Sequence, residues 1–253
     1  MVGEAKNQVV VLTGAGGRLG NFLAKRLLAE PQITPILLTS DPSKLKIDHE
    51  SSSIVHRVVL SDPLSVRKIF EQIHDEQGEI DVLINNAAVT TISGFSDFVN
   101  NADDERIKES YMVNCAGGLY CIKYTLNRGR NHGKKIINVL AGRALSGHER
   151  HVDYYSSKAG LYNATQTLAR DYPKHYFRNI MSGRIDFGEG GDSPESMWTY
   201  FRNFIMDPDP AQYREIYFKN RLKNFWDLLC FYVRHFRSCE RCDVARKSTH
   251  IGR

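Results

Sequence analysis

Val9-Val-Val-Leu-Thr-Gly-Ala-Gly-Gly-Arg-Leu-Gly20 is the stretch on which the fold turns. Its first four residues form a continuous apolar, mostly β-branched run, the pattern of a strand buried on both faces. Gly14, Gly16, Gly17 and Gly20 follow, and glycine allows a tight turn and a close approach of main chain to a ligand. Beyond the loop, Phe22, Leu23, Leu27 and Leu28 recur at helical spacing until Pro31 ends the run. A helix opening behind such a loop offers free N–H groups and the positive end of its dipole, which suits a pyrophosphate.

Working outward, strand-like runs recur at residues 36–38, 54–60, 81–84 and 135–140. Helical patterns lie between them: Asp62-Pro63 starts one with Val66, Ile69, Phe70 and Ile73 on a stripe, and residues 107–126 and 154–170 supply two more. This βαβα rhythm predicts an α/β fold, a Rossmann-type doubly wound parallel sheet in a three-layer αβα arrangement. The rhythm stops after Asp186. A Gly/Pro/Ser linker at 188–194, an aromatic stretch at 197–204, the turn Asp207-Pro-Asp-Pro210 and a helical-looking segment at 213–236 follow. The division expected is a dinucleotide-binding core with the active site at 1–187, a substrate lid or loop region at 188–225, and an atypical helical and basic tail at 226–253.

The chain has 253 residues, 42% hydrophobic and 25% charged, an ordinary globular composition. No apolar run approaches the roughly 20 residues that span a bilayer, and residues 1–8 are polar rather than signal-like, so no membrane association and a cytoplasmic location are expected. Net charge is +5, and the six Lys/Arg against two Asp/Glu in residues 234–253 account for most of it. That tail reads as a solvated terminus, and nucleic acid is not an expected partner. Five cysteines without a secretory pattern read as reduced thiols. Cys239 and Cys242 with His235 and His250 would make four zinc ligands, but the spacing fits no strong template, and no metal is expected.

Asp41 stands 21 residues after Gly20, at the end of the second strand. A carboxylate there bonds the ribose hydroxyls of NAD and repels the extra phosphate of NADP, so NAD is the preferred cofactor. Arg18 inside the loop would instead attract that phosphate and keeps NADP open, and Asp41 before Pro42 also reads as a turn residue. Tyr154 and Lys158, four apart, share a helix face. An ammonium beside a phenol lowers its pKa from about 10, so the tyrosine could exchange a proton near neutral pH. Tyr155 is the other phenol, at the less suitable spacing of three.

These segments resemble the short-chain dehydrogenase/reductase family over roughly residues 8–183. The resemblance is carried by Thr13–Gly20, by Asp81-Val-Leu-Ile-Asn-Asn-Ala-Ala88, by Val113-Asn114, and by Tyr154-Tyr-Ser-Ser-Lys158 with the Ala-Gly-Leu that follows. It implies an NAD(P)-dependent oxidoreductase moving a hydride between the nicotinamide and a secondary alcohol or carbonyl. Tyr154 would be general acid/base, Lys158 would tune it and bond the nicotinamide ribose, and Asn114 would support a water relay. Thr13, Gly14, Gly17, Arg18, Leu19, Gly20, Asp41, Asn86 and Ala87, with Lys158, would hold the cofactor. The resemblance also implies a homodimer through the helices carrying Asn114 and Tyr154, to which Leu119, Tyr120, Leu161 and Tyr162 would contribute. The spacing Gly14, Gly17, Gly20 resembles larger members and points to a sugar derivative as substrate.

The chain departs from the family in three further places. Counting back 13 residues from Tyr154 reaches Ala141, where the family has a serine that bonds the substrate oxygen. Loss of one such donor typically costs about 10²–10³ in rate. Ser146 is a candidate replacement, and the alternative reading is a catalytically impaired dinucleotide-binding sensor or structural protein. Ser182-Gly183 stands where Pro-Gly is usual, and the family's last strand has no visible counterpart. Met197–Phe204 falls at the family's substrate lid, where Trp198, Tyr200 and Phe201 would line a pocket or simply be core.

Overall fold

The computed structural model describes residues 7–47, 54–90, 98–128, 133–183 and 193–217. Seven parallel strands lie in the order β3-β2-β1-β4-β5-β6-β7. They are β1 (Gln8–Thr13), β2 (Ile33–Thr39), β3 (Val55–Arg57), β4 (Val82–Asn85), β5 (Lys135–Ala141), β6 (Tyr176–Ser182) and β7 (Tyr213–Tyr217). The helices are α1 (Arg18–Leu28), α2 (Pro63–Gln77), α3 (Phe98–Asn101), α4 (Asp104–Tyr111), α5 (Gly118–Leu126), α6 (Val152–Asp171) and α7 (Pro194–Met206).

The apolar run of β1 explains the layers. Val9 and Val11 enter a core shared with α2, α5 and α6, while Val10 and Leu12 enter a second core shared with α1 and α7. Alternate side chains point to opposite faces, so a strand apolar at every position needs a helix layer on each side. The expected doubly wound α/β sheet is the fold observed.

Several boundaries differ from the sequence reading. The expected strand at 54–60 is shortened to Val55–Arg57, because it pairs with β2 only over Leu37–Thr39. The expected helix at 107–126 starts earlier, where the Asp103 carboxylate accepts from the N–H groups of Glu105 and Arg106. It is then interrupted by a π-helical turn, Met112–Gly117. A Cβ at Gly117 would lie 2.9 Å from the Leu60 carbonyl, so the bare backbone there lets the helix close onto the loop after β3.

The C-terminal half holds two corrections. Residues 213–217 are a strand, not the start of a helix, and β7 supplies the seventh strand that the sequence reading found missing, in register with β6 from Phe177↔Tyr213 to Met181↔Tyr217. The aromatic stretch at 197–204 lies on α7, which packs on α1. Trp198 and Phe201 are buried among Leu19, Leu23 and Leu27, so they are core and not a pocket wall. Arg202 to Glu30 and Arg26 to Glu195 pin the two helices together at the surface. The buried Lys135 ammonium donates to the carbonyls of Ile205 and Asp207 and so satisfies the C-terminus of α7.

A polar rung runs from the middle strand β4 to the edge strand β7. Asn85, Asn138, Asn179 and Glu215 are successive register partners on β4 to β7. Asn85 donates to Asn138 (2.9 Å) and Asn138 to Asn179 (3.2 Å). Asn179 donates to the Tyr213 hydroxyl, which donates to Glu215. Buried side-chain amides need hydrogen-bond partners, and pairing across the strands, with Asn138 also donating to Thr165 of α6, favours this register. Leu161, an expected dimer contact, is instead a core residue of the protomer, lying over Gly118.

Among the described residues no helix is long and apolar enough to cross a membrane, and no group of three His, Cys, Asp or Glu side chains could hold a metal. His235, Cys239, Cys242 and His250 lie outside the described residues.

Candidate active site

A cavity of about 550 Å³ opens along the carboxyl ends of the strands. The glycine loop forms one wall. Gly14 has φ +66°, a conformation that disfavours any Cβ, and a Cβ there would also come within 2.6 Å of Ala87. A Cβ on Gly20 would lie 2.0 Å from the Gly14 carbonyl oxygen. The loop is therefore folded onto itself as tightly as main chain allows. Gly17 caps α1 without a side-chain hydrogen bond, and the first turn of α1 holds no acidic residue. That helix end is suited to an anion.

The loop is held from two sides. The N–H groups of Asn86 and Ala87 donate to Thr13 Oγ1, both at 3.1 Å, and the Asn86 side-chain amide donates to the carbonyls of Thr13 and Gly14. Thr13 thus ties the end of β1 to the end of β4 without lining the cavity, whereas Gly14, Gly17, Arg18, Leu19, Gly20, Asn86 and Ala87 do line it. Asn21, which the sequence reading passed over, donates to the carbonyls of Gly16, Gly17 and Lys44 and accepts from Lys46. Only its place in the first turn of α1, polar where apolar residues begin, could have marked it.

Asp41 takes the turn role. Its carboxylate accepts from the main chain and hydroxyl of Ser43 (3.1 and 2.6 Å), which holds its pKa below the usual carboxylate range. It is absent from the cavity lining, while its neighbours Thr39, Ser40 and Lys44 are present.

At the other end the wall is α6 against β5. Tyr154 and Lys158 both line the cavity. Tyr155 turns away, packing against His148 and His151 with ring centroids 5.8 and 6.0 Å off. The Lys158 ammonium is buried and donates to the Val139 carbonyl at 2.9 Å, and burial pulls its pKa down to about 8. The expected lowering of the phenol is not what the geometry gives. Burial, with Tyr155 alongside, pushes Tyr154 up to about 12, because desolvation penalises a phenolate and the ammonium is engaged by β5.

Asn114 sits in the π-helical turn and does not line the cavity. Its side chain accepts from the Val89 N–H (2.8 Å) and donates to the Val89 carbonyl (2.9 Å) and Ser157 Oγ (3.1 Å). It pins the segment after β4 against α6. Ala141 is buried at the end of β5, and Ser146, the expected replacement hydroxyl, is exposed in the following turn and does not reach the cavity. Ser182, next to Ala141 on β6, does line it.

A family model described as short chain dehydrogenase matches residues 8–187. A meso-2,3-butanediol dehydrogenase from Serratia marcescens is 30% identical over 173 residues, which is 66% of this chain and 66% of that protein, just under two thirds of its length. An alcohol dehydrogenase from Thermococcus sibiricus, solved with 5-hydroxy-NADP, superposes with a TM-score of 0.74 at 20% identity, covering 84% of this chain and 96% of that one. A 4-hydroxyisoleucine dehydrogenase solved with NADH gives 0.72 at 19% identity, with 83% and 96% covered. At these identities the two structures speak for the fold.

Proposed function

The chain belongs to the short-chain dehydrogenase family, and from that premise we propose that it is an NAD(P)-dependent oxidoreductase of a secondary alcohol or the corresponding carbonyl. One observation carries the reading: Tyr154 and Lys158 line the same cavity as the glycine loop, at its opposite end. The bare N-terminus of α1 and the folded-in glycines fit a dinucleotide pyrophosphate. When bound, the nicotinamide supplies or takes the hydride.

The residues of this chain do the rest. Gly14, Gly17 and Gly20 let main chain approach the pyrophosphate. Asn86 holds the loop, and Lys158 holds the ribose beside the nicotinamide. Tyr154, protonated across the neutral range, gives its proton to the carbonyl oxygen during reduction. Asn114 keeps the wall after β4 in place. The relatives' printed names suggest small polyols or hydroxyketones, and a sugar derivative belongs to that class. Pairing of two copies through α4 and α6 would use the exposed Tyr111 and Val152.

For the cofactor, Lys44 and Arg18 favour NADP over the NAD preferred from the sequence. Both line the end of the cavity beside β2, where Asp41 is committed to Ser43. The Lys44–Asp41 pair at 3.6 Å is solvent-exposed, and such pairs are worth about 0–1 kcal/mol, so a phosphate dianion competes successfully for the lysine.

A second reading, dinucleotide binding without turnover, rests on Ala141. Titration with NADPH and NADH by nicotinamide fluorescence, followed by a turnover screen with 2,3-butanedione, simple ketones and sugar-derived carbonyls, decides between them. Binding with turnover supports the oxidoreductase. Binding without any turnover supports the sensor.

A further inference from the structure

A carbonyl oxygen that gains charge as hydride arrives is stabilised best by two converging donors. Tyr154 is one. The second has to be a group at the same end of the cavity. Among the described residues, the other hydroxyl side chains lining it are Thr39, Ser40, Ser61 and Ser182. Thr39 ends β2, and Ser40 and Ser61 follow β2 and β3. At about 4.8 Å per strand, β2 lies roughly 19 Å across the sheet from β6, so these three belong to the far end. Ser157 is buried on α6, donates to the Tyr154 carbonyl and does not line the cavity.

Ser182 meets the requirement. It is the last residue of β6 and the register partner of Ala141 on β5. Partners in a parallel pair project to the same face, so its hydroxyl stands one strand over from the Ala141 methyl. Its Oγ donates to the Leu140 carbonyl at 2.9 Å, while the Lys158 ammonium rests on the preceding carbonyl, that of Val139. The two groups are thus anchored to consecutive residues of β5, both of which line the cavity with Tyr154.

We propose that Ser182 donates the hydrogen bond to the substrate oxygen that Ala141 cannot, one strand removed from Ala141. This rests on the oxidoreductase reading above. The bond to Leu140 fixes the hydroxyl rotamer before substrate arrives. As the substrate oxygen becomes an alkoxide it outcompetes the neutral carbonyl, because charge-assisted bonds are about twice as strong. Ser182 transfers no proton: hydride goes to the carbonyl carbon, the Tyr154 proton goes to the oxygen, and the serine keeps its own.

The test is reduction of 2,3-butanedione with NADPH by the full chain and by Ser182→Ala, Ala141→Ser and the double variant, with NADPH affinity measured directly in each. Ser182→Ala is expected to lower kcat by about 10²-fold while NADPH Kd stays within about twofold, and adding Ala141→Ser restores at least tenfold. Ala141→Ser alone gains less than about threefold, because a donor is already present; this arm stands even if Ser182→Ala misfolds. Undiminished turnover in Ser182→Ala overturns the proposal. So does a gain of about 10²-fold, or turnover appearing for the first time, in Ala141→Ser alone. NADPH binding with no turnover in any variant overturns the oxidoreductase reading itself, and this proposal falls with it.

Discussion

The Nζ of Lys158 lies 2.9 Å from the main-chain oxygen of Val139, so the ammonium one helical turn beyond Tyr154 is held by strand β5. Its pKa, pulled to about 8 by burial, sits below the 10.5 of an unfolded lysine. Between these values the unfolded chain binds the proton and the folded chain does not, so this group makes stability rise with pH from about 8 toward 10.5. Below pH 8 the buried charge costs stability, by roughly 3 kcal/mol at about 1.4 kcal/mol per tenfold change in proton affinity. Cys121 acts in the opposite sense, since burial raises its thiol and the unfolded thiol ionises first. The wild type and Lys158→Met share that contribution, so their difference isolates the lysine. Urea unfolding of both at pH 7.5 and 9.5 should show the wild type gaining about 2 kcal/mol on the variant. A pH-independent difference would contradict the buried ammonium.

A phenol at about 12 is a proton donor throughout the neutral range. Tyr154→Phe should therefore lower carbonyl reduction by about 10²–10⁴-fold, the usual worth of a positioned acid. NADPH affinity should stay within about threefold. In the wild type, reduction should fall as pH rises through about 8, following Lys158, with no break below pH 10 from the tyrosine. A break near pH 6 would assign the proton to a different group.

Much of this was legible in the chain. The run from Val9 to Leu12 required two helix layers, and the placement of four glycines before Phe22 and Leu23 located the cavity's mouth. Tyr154 and Lys158 were brought to one face by their spacing. What stayed hidden depended on neighbours distant in sequence. Tyr-Arg-Glu-Ile-Tyr at 213–217 has apolar residues at spacings of three and four that suit a helix, and only the open edge of β6 makes it a strand. Asp41 read first as a ribose ligand and only second as a turn residue, and the contact that favours the turn role, with the Ser43 hydroxyl two positions on, appears only in the folded loop. Ser182 stood out in the sequence only as a departure from the usual Pro-Gly, because its value as a donor comes from its register partner Ala141.

The cofactor preference yields a paired prediction. Removing the charge with Lys44→Ala should weaken NADPH by about tenfold or more, the scale of a charge-assisted hydrogen bond, and leave NADH within about twofold. Asp41→Asn should leave NADH within about threefold, since its carboxylate serves Ser43 rather than the cavity. A selective loss of NADH in Asp41→Asn would restore the ribose role.

Phe201 separates core from lid. It is fully buried on α7 against the layer that includes Leu23 and Leu27 of α1, on the face of the sheet opposite α6. A substrate-lid aromatic would change KM when truncated and leave unfolding nearly untouched. A core phenylalanine loses its transfer free energy and leaves a cavity, typically 3–5 kcal/mol together. Phe201→Ala should accordingly lower the urea midpoint strongly, while KM for 2,3-butanedione and NADPH Kd, measured well below that midpoint, stay within about twofold. Tyr200, half-buried on the same helix, should tolerate truncation at a smaller cost. The reverse pattern, a stable Phe201→Ala protein with a raised KM, would mean that α7 leaves α1 to meet substrate, and the second core would have to be redrawn around it.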